Sequence, residues 1–317
     1  MGIARLASLS PVLASKTEVD YFQLPAKSIL NRCASERMPF SWTINPYRGC
    51  EFGCKYCYAR YTHEFMGMED GELFERKIYA KDSAAEILGR ELDRGPKGAI
   101  AIGTSTDPYQ PAERRYRTTR SILEQFSARK GFRLSITTKS DLIARDIDLL
   151  QKIRRANVLD VNITITTLDD GLARKLEPKA PRPGLRLGAV RALANAGVSV
   201  GVFANPIMPL ITDSEDNLSS VAGAAARAGA SYFGGGILFL MPSAQQQFFP
   251  FLEKEFPELL ARYRERFGRN PYLRGDYAKL IAERVRMVRA RQGLAASPIP
   301  YEPEAPYEPP QRRLFEM

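Results

Sequence analysis

The sequence predicts an α/β fold built on a parallel sheet, on three observations. From about residue 99 onward, short apolar runs alternate with stretches of helical spacing, the pattern of strand–helix units joined by right-handed crossovers. With a first run at 41–44, there are about six. After the last, the chain changes character and residues 244–291 read as helix alone.

Taken in order, residues 1–40 show no periodic pattern. Residues 41–44 read as a short strand and 74–80 as another extended piece. Asp82 is placed to cap a helix reaching about residue 93, with Ala84, Ile87 and Leu88 on one face, and Gly95-Pro96 ends it. Further strands are expected at 99–103, 132–138, 158–166, 198–203 and 232–241. Helices are expected at 118–130, 146–156, 171–176, 184–196 and 214–228. Residues 244–267 read as helix interrupted by Pro250 and Pro257. There Phe248, Phe249, Phe251 and Leu252 are read as core or lid packing. Asp276 caps a last helix to about residue 291, with Leu280, Ile281, Val285 and Val288 on one face. Beyond Gly293 the chain turns Pro- and Glu-rich, a polyproline-like or disordered tail.

Composition narrows the function classes. With 317 residues the chain can make one large domain or two small ones, and at 44% hydrophobic it is not globally disordered. No apolar run has membrane-spanning length, and residues 1–16 lack signal-peptide architecture, so a cytoplasmic protein without membrane association is expected. Of four cysteines, three fall within eight residues, which points to a metal site in a reducing compartment rather than a disulfide framework. The net charge of +10, from 46 Lys and Arg against 36 Asp and Glu, suits a polyanionic partner such as nucleic acid. It also fits a generally basic surface.

Those three cysteines, Cys50, Cys54 and Cys57, are spaced C-x3-C-x2-C. Gly49 and Gly53 allow the backbone to turn tightly around them, and Tyr56 stands between the last two. Thiolates are soft ligands for iron–sulfur clusters or zinc. Three on one loop can hold three corners of a cubane and leave one iron open. They can also make a structural zinc site, with His63 or Cys33 as the fourth ligand.

The stretch from Asn45 to Arg60 resembles the cluster loop of radical S-adenosylmethionine (SAM) enzymes. The longer string from Trp42 to His63 is similar to the branch that includes the spore photoproduct lyases, as is Lys27-Ser28-Ile29-Leu30-Asn31 before it. The resemblance covers roughly residues 41–240. It implies a partial (β/α)6 TIM-type barrel with a helical C-terminal extension, and chemistry at the C-terminal ends of the strands. The expected organisation is an N-terminal segment (1–40), a barrel core (41–240), a helical extension (241–292) and a flexible tail (293–317). The resemblance further implies that Cys50, Cys54 and Cys57 hold a [4Fe–4S] cluster, that SAM chelates the fourth iron, and that a flavodoxin- or ferredoxin-type reductant supplies electrons.

Candidate SAM contacts follow from position. Tyr56 lies inside the cluster loop. Thr104, Ser105, Thr106 and Asp107 follow the second strand, where the family's loop meets the SAM amino group; ordinary turn chemistry would also place such residues there. Lys139 ends the third strand and can pair with the SAM carboxylate as a compact charge. Asn162, Thr164 and Thr166 alternate along the fourth strand, so period two puts them on one face, available to ribose hydroxyls. Glu177, Arg182, Arg186 and Asn205 are candidates without assigned roles. One departure is informative. Spore photoproduct lyases carry a hydrogen-donating cysteine in the loop after the second strand, and here no cysteine follows Cys57. Tyr58, Tyr109 or Cys33 would have to substitute.

The expectation is a radical SAM enzyme that abstracts hydrogen from a substrate, with nucleic acid, in a repair-like reaction, as the leading class. The alternatives are a small-molecule or peptide substrate, and a non-catalytic, zinc-stabilised nucleic-acid-binding protein. At the C-terminus, Gln311, Leu314 and Phe315 resemble the Q-x-x-L-F peptide that binds the bacterial sliding clamp. The Pro-rich tail would present it.

Overall fold

The apolar runs become strands wherever helices can cover one of their faces. The computed structural model describes residues 2–16, 18–36 and 38–304. Its strands are β1 (Val12–Lys16), β2 (Val19–Leu24), β3 (Asn31–Arg32), β4 (Trp42–Ile44), β5 (Tyr47–Arg48), β6 (Lys77–Lys81), β7 (Ile100–Ile102), β8 (Arg133–Thr138), β9 (Val158–Thr164), β10 (Ser199–Phe203) and β11 (Tyr232–Gly234).

Seven strands form one sheet in the order β11-β10-β9-β8-β7-β4-β3. From β4 to β11 all pairings are parallel, and β3 adds an antiparallel edge. This is the expected partial (β/α)6 barrel, followed by helices Pro242–Glu255, Pro257–Phe267 and Asp276–Arg291. Ile100, Ile136, Val161, Val200 and Phe233 belong to one buried core with Leu88, Phe126, Leu150, Leu193 and Val221 from the covering helices. Burial of this apolar surface, at about 25 cal/mol per Å², drives the sheet and helices together. All barrel strands run the same way, so their C-terminal ends meet at one mouth. Among the described residues no helix is long and apolar enough to cross a membrane.

Several elements differ from the sequence reading. Residues 1–40 are not patternless in the fold. They supply a helix, Ile3–Ser8, and two strands of a second sheet, ordered β1-β2-β6-β5. That sheet abuts the cysteine loop, since β5 leads directly into it. The extended piece at 74–80 begins as a helical turn, Leu73–Arg76, and becomes strand only at Lys77. Asp82 does not cap the following helix. Ser83 takes that place with φ 50°, and no side chain caps the terminus. The expected strand 232–241 stops at Gly234, because Gly235 and Gly236 add no side chains to a ladder. Pro250 sits inside a continuous helix, while Pro257 opens the next one at its first turn, where its missing N–H costs nothing. Gly275, not Asp276, precedes the last helix, and Leu280 faces solvent while Ile281, Val285 and Val288 are buried.

Part of the expected tail is docked. Ala295 bridges to Tyr232, and the Tyr301 hydroxyl donates to the Asn157 carbonyl (3.0 Å) and accepts from the Leu159 N–H (2.7 Å). This strap crosses the N-terminal ends of β9 to β11, opposite the mouth. Gln311, Leu314 and Phe315 lie outside the described residues.

Candidate active site

The cysteine loop begins where β4 ends, which carries Cys50, Cys54 and Cys57 to the mouth. Gly49 has φ +79°, and a Cβ there would stand 2.6 Å from the Lys77 carbonyl oxygen and 2.8 Å from that of Phe74. The same tightness lets the Cys50 N–H reach the Phe74 carbonyl at 2.9 Å. Cys50 and Cys54 are buried and Cys57 half-buried, and all three line a cavity of 320 Å³. Phe52, Phe74, Ile237, Leu238 and Phe239 form apolar wall, and Thr104, Ser105, Thr106, Asp107, Lys139 and Thr164 bring polar groups. A largely apolar cleft of this size with a few convergent polar groups is the usual form of a small-molecule site.

The loop after β7 is laced to the cysteine loop. Thr106 donates to the Gly49 carbonyl at 2.6 Å. Gln110 donates to the same carbonyl at 3.0 Å and accepts from the Glu51 N–H at 3.0 Å. Asn45 donates to the Thr104 hydroxyl (3.1 Å) and accepts from the Ser105 N–H (2.8 Å). Asp107 accepts from the Thr138 hydroxyl (2.6 Å) and the Lys139 N–H (2.7 Å), which ties the loop to the end of β8. Burial raises the Asp107 pKa, although these donors and the Lys139 charge oppose the shift.

Beneath the cavity lies a buried ionic group. Tyr56 donates its hydroxyl to Glu177, and Glu177 pairs with Arg186 at 2.5 Å. Arg186 also donates to the carbonyls of Pro181 (2.7 Å) and Thr164 (3.0 Å). Burial alone would raise the Glu177 pKa, but Arg186 and Lys139 outweigh it and hold the carboxyl below its ordinary value. Burial opposes the charge on Lys139 too. Cys54 and Glu177 outweigh it, so the pKa stands above the ordinary lysine value.

The sequence candidates therefore separate. Tyr56, Thr104, Ser105, Thr106, Asp107, Lys139, Thr164 and Asn205 line the cavity with the three cysteines, and so does Tyr58. Asn162 and Thr166 do not. The Asn162 side chain donates to Ser135 (2.9 Å) and accepts from the Tyr232 hydroxyl (2.8 Å), so its polar atoms serve the barrel interior. Thr166 follows the end of β9, and its carbonyl accepts from Asn217 at 3.0 Å. Tyr109 is buried away from the cavity. Cys33 stands beside Ser41, its N–H bonded to the Ser41 carbonyl at 2.8 Å, at the opposite end of β4 from the cysteine loop. Arg182 is exposed, 3.7 Å from Asp170.

Two residues escaped the sequence reading. Asn45 positions the Thr104–Ser105 backbone. Arg60, at 2% exposure, donates to the carbonyls of Cys54 (3.1 Å) and Gly71 (2.5 Å) and pairs with Glu75 (3.2 Å). An arginine three residues after the last cysteine was the available signal.

The donor set fits a four-iron cluster better than zinc. Burial pushes all three thiols up, Cys54 to about 12, so thiolates form here only against the positive charge of a bound metal. Among the described residues, no three of His, Cys, Asp or Glu converge as a single ion's ligands would. In a cubane each thiolate binds a different iron. His63 does not line the cavity with the cysteines. Its Nε2 is 3.0 Å from the Lys77 carbonyl, and its ring packs edge-on against Phe74.

Comparison with known proteins agrees. The family model of the Radical SAM superfamily matches residues 44–220. The chain belongs to the radical SAM superfamily. An uncharacterized protein of Mycobacterium tuberculosis (strain H37Rv) is 35% identical over 99% of this chain and 94% of its own. An uncharacterized protein of Methanocaldococcus jannaschii is 28% identical over 76% of this chain and 86% of its own. Among solved structures, a spore photoproduct lyase mutant with bound AdoMet and dinucleoside spore photoproduct superposes with TM-score 0.67. It is 15% identical, and the match covers 95% of this radical SAM chain and 87% of that one. That likeness is one of fold.

Proposed function

We propose that this radical SAM protein is an enzyme acting on nucleic acid, with Cys50, Cys54 and Cys57 as the ligands of a [4Fe–4S] cluster and SAM bound in the 320 Å³ cavity beside them. The observation that carries the reading is the meeting of three thiols, Lys139 and the Thr104–Asp107 loop on one cavity at the strand ends. Held by Cys50, Cys54 and Cys57, such a cluster would supply the one-electron reduction that cleaves SAM. The chain's own part is orientation and exclusion of water. Lys139 presents an ammonium to the SAM carboxylate. The hydroxyl and carboxylate groups of Thr104 to Asp107 accept from its ammonium. Phe52, Ile237, Leu238 and Phe239 wall off solvent. A flavodoxin- or ferredoxin-type partner delivers the electron. The substrate class rests on the net charge of +10, which suits a polyanion, and on a fold shared with an enzyme that holds a dinucleoside lesion.

Anaerobic reconstitution tests this. The expected result is a brown protein with about four irons and four sulfides per chain that forms 5′-deoxyadenosine from SAM and dithionite. Alanine at Cys50, Cys54 or Cys57 abolishes the iron, while Cys33→Ala keeps it. A colourless protein holding one tight zinc and never cleaving SAM overturns the reading.

A further inference from the structure

Three aromatic rings lead outward from the cavity. Tyr58 and Phe239 line its wall with ring centroids 5.0 Å apart. Phe239 in turn stacks on Tyr272 at 5.5 Å with an interplanar angle of 20°. Tyr58 is 36% exposed and Tyr272 47%. Two aromatic rings left this open to water forgo burial that a core would give them.

The arrangement is held from both sides. The Tyr58 hydroxyl donates to the Thr104 carbonyl. Phe239 and Tyr272 form an antiparallel bridge, and the Leu240 N–H reaches the Pro271 carbonyl at 2.9 Å. The Tyr272 N–H is fixed by the Asn270 side chain at 2.9 Å. The rings are thus presented by a braced loop, and stacking on them costs little further ordering. Arg269 and Arg274 flank Tyr272 in sequence, both exposed and both without an ion-pair partner among the described residues.

Resting on the nucleic-acid reading above, we infer that Tyr58, Phe239 and Tyr272 form a stacking ladder for the bases of an unpaired strand. Arg269 and Arg274 meet its phosphates. The stacked Phe239 and Tyr272 faces, with Tyr58 tilted by 42° behind them, lie beside cations that have no ion-pair partner among the described residues, which suits single-stranded nucleic acid, and each stacked base contributes substantially to affinity. A base in a closed duplex cannot offer its face to Tyr272, so the ladder selects single-stranded or locally opened substrate.

The test is anaerobic fluorescence anisotropy on the reconstituted protein, with a labelled 12-residue oligothymidylate alone and annealed to oligoadenylate. Wild type should bind the single strand more tightly than the duplex. Tyr272→Ala should weaken single-strand binding roughly tenfold, and Tyr272→Phe, which keeps the face, should restore it. The Arg269→Ala, Arg274→Ala double variant should show a shallower salt dependence. Equal binding by wild type and Tyr272→Ala, duplex binding as tight as single-strand binding, or no binding at all would each overturn the ladder. Formation of 5′-deoxyadenosine by the wild-type protein is read separately. Its failure would sink the proposed SAM-cleaving activity and leave the binding result to decide the ladder.

Discussion

The Lys139 ammonium lies 5.7 Å from the ring centroid of Tyr56, and the hydroxyl of that same Tyr56 donates to Glu177. One aromatic ring thus separates the lysine at the mouth from the carboxylate beneath it. Lys139 is attracted toward Cys54 and Glu177, yet among the described residues it forms no salt bridge, so its charge stays available to a ligand in the cavity.

Lys139→Ala should therefore weaken SAM binding and spare the iron. Loss of a charged hydrogen-bonding partner costs about 1.5–3 kcal/mol, or roughly ten- to a hundredfold in Kd. Calorimetry on the reconstituted protein would read this directly. Unchanged affinity, or loss of iron along with SAM, would show that the lysine serves the loop instead.

Glu177→Gln should destabilise the fold well beyond a surface change. It leaves the Arg186 guanidinium, whose side chain is 1% exposed, without its counter-charge. Breaking one side of a buried pair costs about 3–5 kcal/mol. Replacing both, as Glu177→Gln with Arg186→Met, should recover part of the loss in urea denaturation. A double variant as unstable as the sum of the two singles would contradict this.

Gly49→Ala should stop the cysteine loop from closing. The left-handed backbone alone costs an alanine about 1–2 kcal/mol. The two carbonyl oxygens at 2.6 and 2.8 Å add a clash that only a backbone shift relieves. Gly95→Ala is the control, since Gly95 has φ +66° but nothing within 4 Å of the added Cβ. Melting temperature and iron content should fall sharply for the first variant and little for the second.

His63 should make stability fall in mild acid. Burial lowers its pKa from 6.5 to about 4, partly offset by the Lys77 carbonyl. Above pH 6.5 both folded and unfolded forms are neutral, and the contribution is fully present. Between pH 6.5 and about 4 only the unfolded chain takes up the proton, which erodes stability by up to about 3 kcal/mol. His63→Gln, which can still donate to Lys77, should flatten that part of the melting curve against pH. An identical slope in both proteins would assign the acid sensitivity elsewhere.

The barrel was legible because its strands are apolar on the helix-facing side and its helices amphipathic, both local properties. The second sheet was not. β1 is mostly exposed, and β2 pairs in parallel with β6, whose residues lie more than fifty positions further on. Pairing at that distance leaves no local period. The same reason misplaced Asn162. Its polarity inside a barrel strand was visible and did demand a partner, but that partner is Tyr232, 70 residues away. The cysteine loop was readable because its spacing is itself the chemistry. Cys33, by contrast, was a lone cysteine with no spacing to fix its place, and it fell at the wrong end of β4.

The docked strap has a practical side. Tyr301 is fastened at Asn157 and Leu159, on the floor of the barrel. The last described residues therefore leave from the face turned away from the cavity. That face is a natural handle. A label attached through Pro300→Cys, at an exposed position beside Tyr301, would sit away from the cavity and leave its entrance clear to the flowing solution.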